Sequence, residues 1–156
     1  MDLSILLVQY RPDEGELRRT LASLLRQSCR DFELVVADDG SDEDFFPLTR
    51  KIHAENVFNG AKFVKLTPNG GTVKNVLNGA KQAAGKWVFT VSPGDYLYDA
   101  DTVAWLLEVL RRDAPRVVCG VVGLQPGGQG ARQPDGAAEG RCDLGGRGDG
   151  NQVLVP

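Results

Sequence analysis

The stretch Phe32-Glu33-Leu34-Val35-Val36-Ala37-Asp38-Asp39-Gly40-Ser41 constrains the fold more than any other. An apolar run of strand-forming residues without alternation has to be covered on both faces, which is the pattern of a buried parallel strand. It ends in two adjacent carboxylates and a glycine-serine turn. Ligands of open α/β sheets sit in the crevice outside the carboxyl ends of the strands. Asp38 and Asp39 are therefore placed to accept hydrogen bonds from a sugar or a base.

The neighbouring segments extend the same sheet. Ser4-Ile5-Leu6-Leu7-Val8 reads as a first buried strand ending at Gln9-Tyr10-Arg11-Pro12, and Asp13 starts a helix with Glu16 as its capping-box partner. Leu17, Leu21, Leu24 and Leu25 share one face of that helix. The opening is thus a βαβ unit, with a right-handed crossover expected. The acidic run Asp42-Glu43-Asp44 suits solvent or the N-terminus of a short helix beginning around Phe45-Phe46-Pro47-Leu48. Ala61 to Leu66 alternates as an edge strand, with lysines that discourage further pairing. After the turn Thr67-Pro68-Asn69-Gly70-Gly71, a helix is expected from Thr72 to Ala84, with Val73, Val76, Leu77, Ala80 and Ala84 inward and Gly85 as its stop. Lys86 to Val91 is a fourth strand, running into the tight turn Ser92-Pro93-Gly94-Asp95. Asp99 then caps a helix carrying Val103, Leu106, Leu107 and Leu110, and Val117 to Val122 is a fifth strand.

The pattern stops there. Ten of the 19 glycines follow Val122 and every aromatic precedes residue 106, so residues 123–156 have little with which to offset the entropy of ordering them. We expect one domain over 1–122 and a flexible or loosely packed Gly-rich tail over 123–156. The predicted class is α/β, a Rossmann-like, mostly parallel sheet with flanking helices.

Composition narrows the functions. A formal net charge of -3 gives no electrostatic reason to expect nucleic acid. No apolar run approaches the roughly 20 residues of a membrane span, and the first residues lack a signal peptide's basic and apolar regions, so a cytoplasmic location is expected. Cys29, Cys119 and Cys142 are far apart and His53 has no partner at a ligand spacing. A Cys/His zinc site and a disulfide framework are both disfavoured.

Three polar constellations share the carboxyl edge of the sheet: Asp38-Asp39, the segment Asn69 to Asn75, and Asp95. One acidic turn is commonly just solvated; three at corresponding strand ends point to a ligand with both hydrogen-bond donors and phosphates. Asp39 accepts from a base N–H or a ribose hydroxyl, Lys74 meets negative charge at a helix N-terminus, and Asp95 holds a divalent cation. Mg2+ and Mn2+ usually bind through one or two carboxylates plus substrate phosphates, so one aspartate can suffice.

The order of these motifs resembles the N-terminal half of family two glycosyltransferases with the GT-A fold. The resemblance rests on strand one with Tyr10, on Ser23-Leu24-Leu25-Arg26-Gln27-Ser28, and on Phe32 to Ser41. It extends to Asn69-Gly70-Gly71-Thr72-Val73-Lys74-Asn75 and to Gly85 through Leu97, and covers about Asp2 to Val122. It implies that Asp39, assisted by Asp38, binds the nucleoside of a sugar nucleotide, UDP-sugar favoured, while Val8 and Tyr10 pack against the base. Lys74 stands where the family often has an arginine. Asp95 matches the family's last metal-motif aspartate, which bridges Mg2+ or Mn2+ to the diphosphate; Ser92 and Gly94 replace aspartates that many members carry. The implied reaction is inverting transfer of the sugar to an unknown acceptor.

In such enzymes a second half of the fold supplies the acceptor site and the general base. The later carboxylates Asp113, Asp135, Glu139, Asp143 and Asp149 are poor candidates for that base, so the resemblance is to a truncated donor-binding half. The alternative is a non-catalytic nucleotide-binding or protein-interaction module, with self-association through apolar surface left uncovered. A receiver domain would carry its acidic pair after strand one, and a dinucleotide oxidoreductase would carry Gly-x-Gly-x-x-Gly there. Gln9-Tyr10 fits neither.

Overall fold

The computed structural model describes residues 1–56, 59–115 and 153–154. Its elements run β1 (Leu3–Gln9), α1 (Glu14–Leu25), β2 (Phe32–Asp38), α2 (Phe46–Asn56), β3 (Ala61–Lys65), α3 (Thr72–Ala80), β4 (Trp87–Val91), α4 (Thr102–Asp113) and β5 (Val153–Leu154). All strands are parallel, in the order β3-β2-β1-β4-β5. The α/β sheet is the expected one, with β3 at an edge. The strand expected at Val117–Val122 lies outside the described residues.

Strand alternation divides the core into two unequal layers. Leu3, Ile5 and Leu7 of β1 join Phe32, Leu34 and Val36 of β2 under α1, α2 and α4. The opposite face carries Leu6, Val8, Val35 and Ala37, covered by Val76 and Ala80 of α3. The chain moves outward from β1 to β3 with its helices on one face, then returns to β4 with α3 on the other. Crossovers of one hand demand this change of face when the direction reverses.

The α3 layer corrects the expected helix. It ends at Ala80, not Ala84, and its inward side is Asn75 and Gly79, while Val73 and Leu77 are 74% and 54% exposed. Close approach explains the rotation: a Cβ on Gly79 would stand 2.4 Å from Leu6 Cδ1 and 2.9 Å from Ala37 Cβ. At Gly79 only a small residue fits against the sheet, while Val76 and Ala80 pack on it as expected. Gly85 marks a similar contact, since its Cβ would stand 2.5 Å from the Ser4 nitrogen.

Helix ends follow side-chain chemistry with two departures from expectation. Asp13 Oδ1 accepts from the Glu16 N–H at 2.9 Å, but the Glu16 carboxylate pairs with Arg19. Asp99 does not cap α4 directly; its Oδ1 accepts from the Asp101 N–H and the Thr102 hydroxyl. The first turn of α4 is instead capped from the residues just past α1, by Gln27 Oε1 accepting from the Val103 N–H at 3.0 Å. Asp44 caps α2 through the Phe46 N–H, as the acidic run suggested.

At the amino edge of the sheet the buried Glu33 accepts from the Ser4 hydroxyl at 2.6 Å and the Ala84 N–H at 2.5 Å, and pairs with Lys62 at 3.0 Å. Burial pushes its carboxyl up, but the hydrogen bonds from Ser4 and Ala84 and the Lys62 ammonium outweigh it and leave the group below the ordinary 4.5. No helix among the described residues is long and apolar enough to cross a membrane.

Candidate functional site

Alternation along β2 sends its two terminal carboxylates to opposite faces. Asp38 points to the α1 side, where Oδ2 accepts from Gln9 Nε2 at 3.0 Å and Oδ1 from the Ser41 N–H at 2.7 Å. Asp39 follows the α3 side, where its Oδ1 accepts from the Gly70 N–H at 2.8 Å. Both residues are buried, at 1% and 4% exposure. Asp38 is thus committed to shaping the turn, while Asp39 keeps its second oxygen without a hydrogen bond among the described residues.

Gly40 lets this turn sit against the next loop. It has φ +80°, and a Cβ there would lie 2.9 Å from the Asn69 nitrogen and 3.1 Å from the Leu66 carbonyl oxygen. Only glycine meets both demands. The loop after β1 joins from the other side: the Arg11 N–H donates to Ser41 Oγ at 2.7 Å, and the Arg11 guanidinium pairs with Asp42 at 2.5 Å. Together these loops border a cleft of about 490 Å³ lined by Tyr10, Gly40, Ser41, Lys65, Pro68 and Asn69, among others. Tyr10 is 44% exposed, and the Arg11 guanidinium lies 5.1 Å from its ring centroid. Its ring is available for stacking. Val8 is half-buried and packs in the α3 layer, so its contribution beside the cleft is main chain and support.

Lys74 is exposed in the first turn of α3, and its stem lies alongside Gly70, with Cδ 3.2 Å from where a Gly70 Cβ would stand. Gly70 is the residue that holds Asp39. Asp95 lies apart from this group, past the end of β4 on the far side of β1. With β1 between β2 and β4, the two strand ends are separated by two strand spacings, roughly 10 Å. Asp95 is exposed, its Oδ2 accepting only from the Ser92 N–H at 2.8 Å among the described residues. Of the expected residues the structure puts Tyr10 in the wall of the cleft, Asp38 and Asp39 in the turn beside it, and Lys74 next to the Gly70 that holds Asp39, and it sets Asp95 at a distance.

Several residues that hold these groups carried no assigned role in the sequence. Thr20, Ser23 and Gln27 form a buried polar stripe along α1. Thr20 Oγ1 accepts from the Gly94 N–H at 3.0 Å, Ser23 Oγ from the Leu97 N–H at 3.3 Å, and Gln27 Nε2 donates to the Asp99 carbonyl at 2.6 Å. The loop that carries Asp95 is laced to α1 by this stripe. Polar residues at helical spacing within a leucine-rich face were the available signal.

The other unassigned residue is Asn75, fully buried under the acidic turn. Its Nδ2 donates to the Ala37 carbonyl at 2.9 Å and the Gln9 carbonyl at 3.4 Å. Its Oδ1, like Gln9 Oε1, is buried without a hydrogen-bond partner among the described residues. An unsatisfied buried acceptor costs about 1–3 kcal/mol, against about 0.5–1.5 kcal/mol gained per hydrogen bond. On balance Asn75 contributes little to stability.

No group of three or more His, Cys, Asp or Glu side chains among the described residues is arranged to hold a metal ion. The donor chemistry at the β4 end fits a shared ion instead: one exposed carboxylate, completed by phosphate oxygens of a ligand. Asp113, at the end of α4, is engaged with Arg112 through both carboxylate oxygens. Asp135, Glu139, Asp143 and Asp149 lie outside the described residues.

Comparison with known proteins gives the family. The chain is 35% identical over 85 residues to a PGL/p-HBAD biosynthesis glycosyltransferase of Mycobacterium bovis (strain BCG / Pasteur 1173P2), covering 54% of this chain and 32% of that protein. It thus spans about a third of that relative's length. S. aureus TarS 1–349 superposes with a TM-score of 0.70 at 26% identity, over 85% of this chain and 39% of that one. The TarS 1–349 complex with UDP-GlcNAc gives 0.66 at 25% identity, over 85% and 37%. The mannosyltransferase PcManGT of Pyrobaculum calidifontis, solved with GDP-Man and Mn2+, shares the fold with a TM-score of 0.65 at 20% identity, over 76% and 35%. The family model described as Glycosyl transferase family 2 matches residues 4–150, and the chain belongs to that family.

Proposed function

We propose that this domain holds a nucleoside diphosphate sugar, UDP-sugar favoured, at the carboxyl edge of its sheet and presents the sugar for inverting transfer to an acceptor hydroxyl. The observation that carries the reading is the cleft beside the acidic turn, where an exposed Tyr10 ring borders the loops that hold Asp39. A pyrimidine base stacks on Tyr10, and the free oxygen of Asp39 accepts from the ring N–H or a ribose hydroxyl. A carboxylate fixed by a main-chain N–H is already oriented, so little freedom is lost on binding. That TarS, similar over most of this chain, was solved with UDP-GlcNAc supports uracil as the base.

The diphosphate then runs from the cleft across the end of β1. Lys74, at the N-terminal turn of α3, meets its negative charge from one side. Asp95 is the residue that would hold Mg2+ or Mn2+ beside the phosphates, and the ion would offset the charge that develops on the departing UDP. Within the domain Thr20 and Ser23 keep the Asp95 loop in place, and Asp38 keeps the turn beneath the base. In the transfer the acceptor oxygen bonds to the anomeric carbon from the face opposite the diphosphate, whose C–O bond breaks, and the hydroxyl proton passes to a general base outside the described residues.

Calorimetric titration with UDP, uridine, GDP and ADP in the presence of Mn2+ tests this. UDP is expected to bind most tightly, with uridine weaker for want of the diphosphate. Tyr10→Ala and Asp39→Asn are each expected to weaken UDP by tenfold or more, about 1.4 kcal/mol. Equal affinity for UDP in the wild type and both variants would remove the base from this cleft.

A further inference from the structure

We infer that Asn75 is the positioning residue of the nucleoside site: it fixes the Asp39 carboxylate from beneath, without touching the ligand. This rests on the donor-site reading above and assigns a role to a residue outside the cleft.

The argument is geometric. The Asp39 N–H donates to the Gln9 carbonyl at 2.9 Å, and the same carbonyl accepts from Asn75 Nδ2. The second Asn75 bond reaches the carbonyl of Ala37, two residues before Asp39 on β2. The Asn75 N–H donates to the Gly71 carbonyl at 3.0 Å, and the preceding residue, Gly70, donates its N–H to Asp39 Oδ1. Asp39, Gln9, Asn75 and the Gly70-Gly71 turn therefore form a closed ring of main-chain and side-chain bonds. Asp39 is gripped at both its main-chain nitrogen and its carboxylate, and the Asn75 side chain ties β1, β2 and the start of α3 together.

Burial sharpens the point. An asparagine at 0% exposure whose amide oxygen has no partner among the described residues is a poor choice for stability alone, because an apolar residue would leave no orphan acceptor. What an apolar residue lacks is the pair of donors. The ring gives those donors a use: they set the end of β2 against α3, and with it the direction of the free Asp39 oxygen. Lys74, the neighbour of Asn75 in the chain, is carried along with the same helix turn.

The test compares Asn75→Ala and Asn75→Asp with Glu33→Gln, whose buried carboxylate lies at the opposite edge of the sheet. Glu33→Gln reports the effect of general destabilisation. Two quantities are read well below the lowest unfolding temperature: UDP affinity with Mn2+, and hydrogen exchange of the Asp39 and Gly70 amides in the free protein. In the Asn75 variants, exchange of those two amides is expected to quicken by about tenfold or more relative to other β2 amides. UDP is expected to weaken by about tenfold, with Glu33→Gln unchanged in both readouts. Asp39 and Gly70 amides that exchange no faster than in Glu33→Gln would overturn the inference. If the wild type binds no UDP, the donor-site reading fails on its own, and amide exchange alone decides whether Asn75 holds Asp39. A variant that does not fold is replaced in the comparison by the other substitution at the same position.

Discussion

The turns that follow β2 and β4 each present aspartate at the same edge of one sheet, yet they are built in opposite ways. After β2, Asp38 and Asp39 are buried and bonded to Gln9, Ser41 and Gly70. After β4, Asp95 is exposed and, among the described residues, bonded by a single main-chain N–H of its own turn. The first turn is completed by the fold; the second, in the function proposed above, is left for a ligand to complete. A nucleoside needs fixed acceptors in fixed directions, and a cation shared with a diphosphate needs a carboxylate that can still move to meet it. The loop holding Asp95 is nevertheless laced to α1, so its freedom is confined to the side chain and its turn.

Removing Asp38 breaks that contrast most severely. Asp38→Ala strips charge-assisted partners from the buried Gln9 amide and the Ser41 N–H, and is expected to lower stability by about 3 kcal/mol in urea unfolding. A loss under 1 kcal/mol would mean that the turn is not held as described. The two glycines sharpen the comparison. Gly40→Ala must strain φ and also drive a Cβ into the Asn69 main chain, so a loss of about 2–3 kcal/mol is expected. Gly94→Ala has the same problem of φ, at +100°, but its Cβ meets nothing closer than Glu16 Oε2 at 3.5 Å. Its expected loss is about 1 kcal/mol. Equal losses would contradict the difference in packing.

The amino edge supplies a smaller, pH-dependent effect. The Glu33 carboxyl titrates lower in the folded protein than its ordinary 4.5, so the unfolded chain binds the proton first as pH falls. Its contribution is fully present above the unfolded value and is lost as pH falls through the folded one. Urea midpoints followed from pH 7 into this acid range should decline more steeply for the wild type than for Glu33→Gln. Parallel curves would show that Ser4, Ala84 and Lys62 do not stabilise the ionised carboxylate.

Sheet, strand ends and acidic turns were legible in the sequence because a buried parallel strand is written in consecutive residues. Phe32 to Asp38 is one uninterrupted run, and the expected bounds of β1 to β4 fell within a few residues of those observed, whereas β5 at Val153–Leu154 was not expected. What escaped was the polar scaffolding. Gln27 reaches Asp99 and Val103, and Asn75 reaches Gln9 and Ala37; the partners are far apart in the chain, and no local pattern announces them. The orientation of α3 was missed for a related reason. Val73 and Leu77 suggest a core face by hydrophobicity, but the short approach at Gly79 selects for small residues. Asn75 and Gly79, four apart, were the readable sign. Of the proposed site, Asp39 and Tyr10 followed from motif order, whereas the division of labour between Asp38 and Asp39 needed the alternation of β2 to be fixed in register.

The most direct measurement is the thermal unfolding of the wild type and Asp95→Ala with UDP, with and without Mn2+. Asp95→Ala alone should move stability by no more than about 0.5 kcal/mol, as expected for an exposed side chain. At about a hundred times its dissociation constant, UDP with Mn2+ should stabilise the wild type by roughly 2.7 kcal/mol. That gain should shrink in Asp95→Ala to the value seen without metal, since the nucleoside half of the site remains. A transition unmoved by UDP under any of these conditions would contradict a donor site at this edge of the sheet.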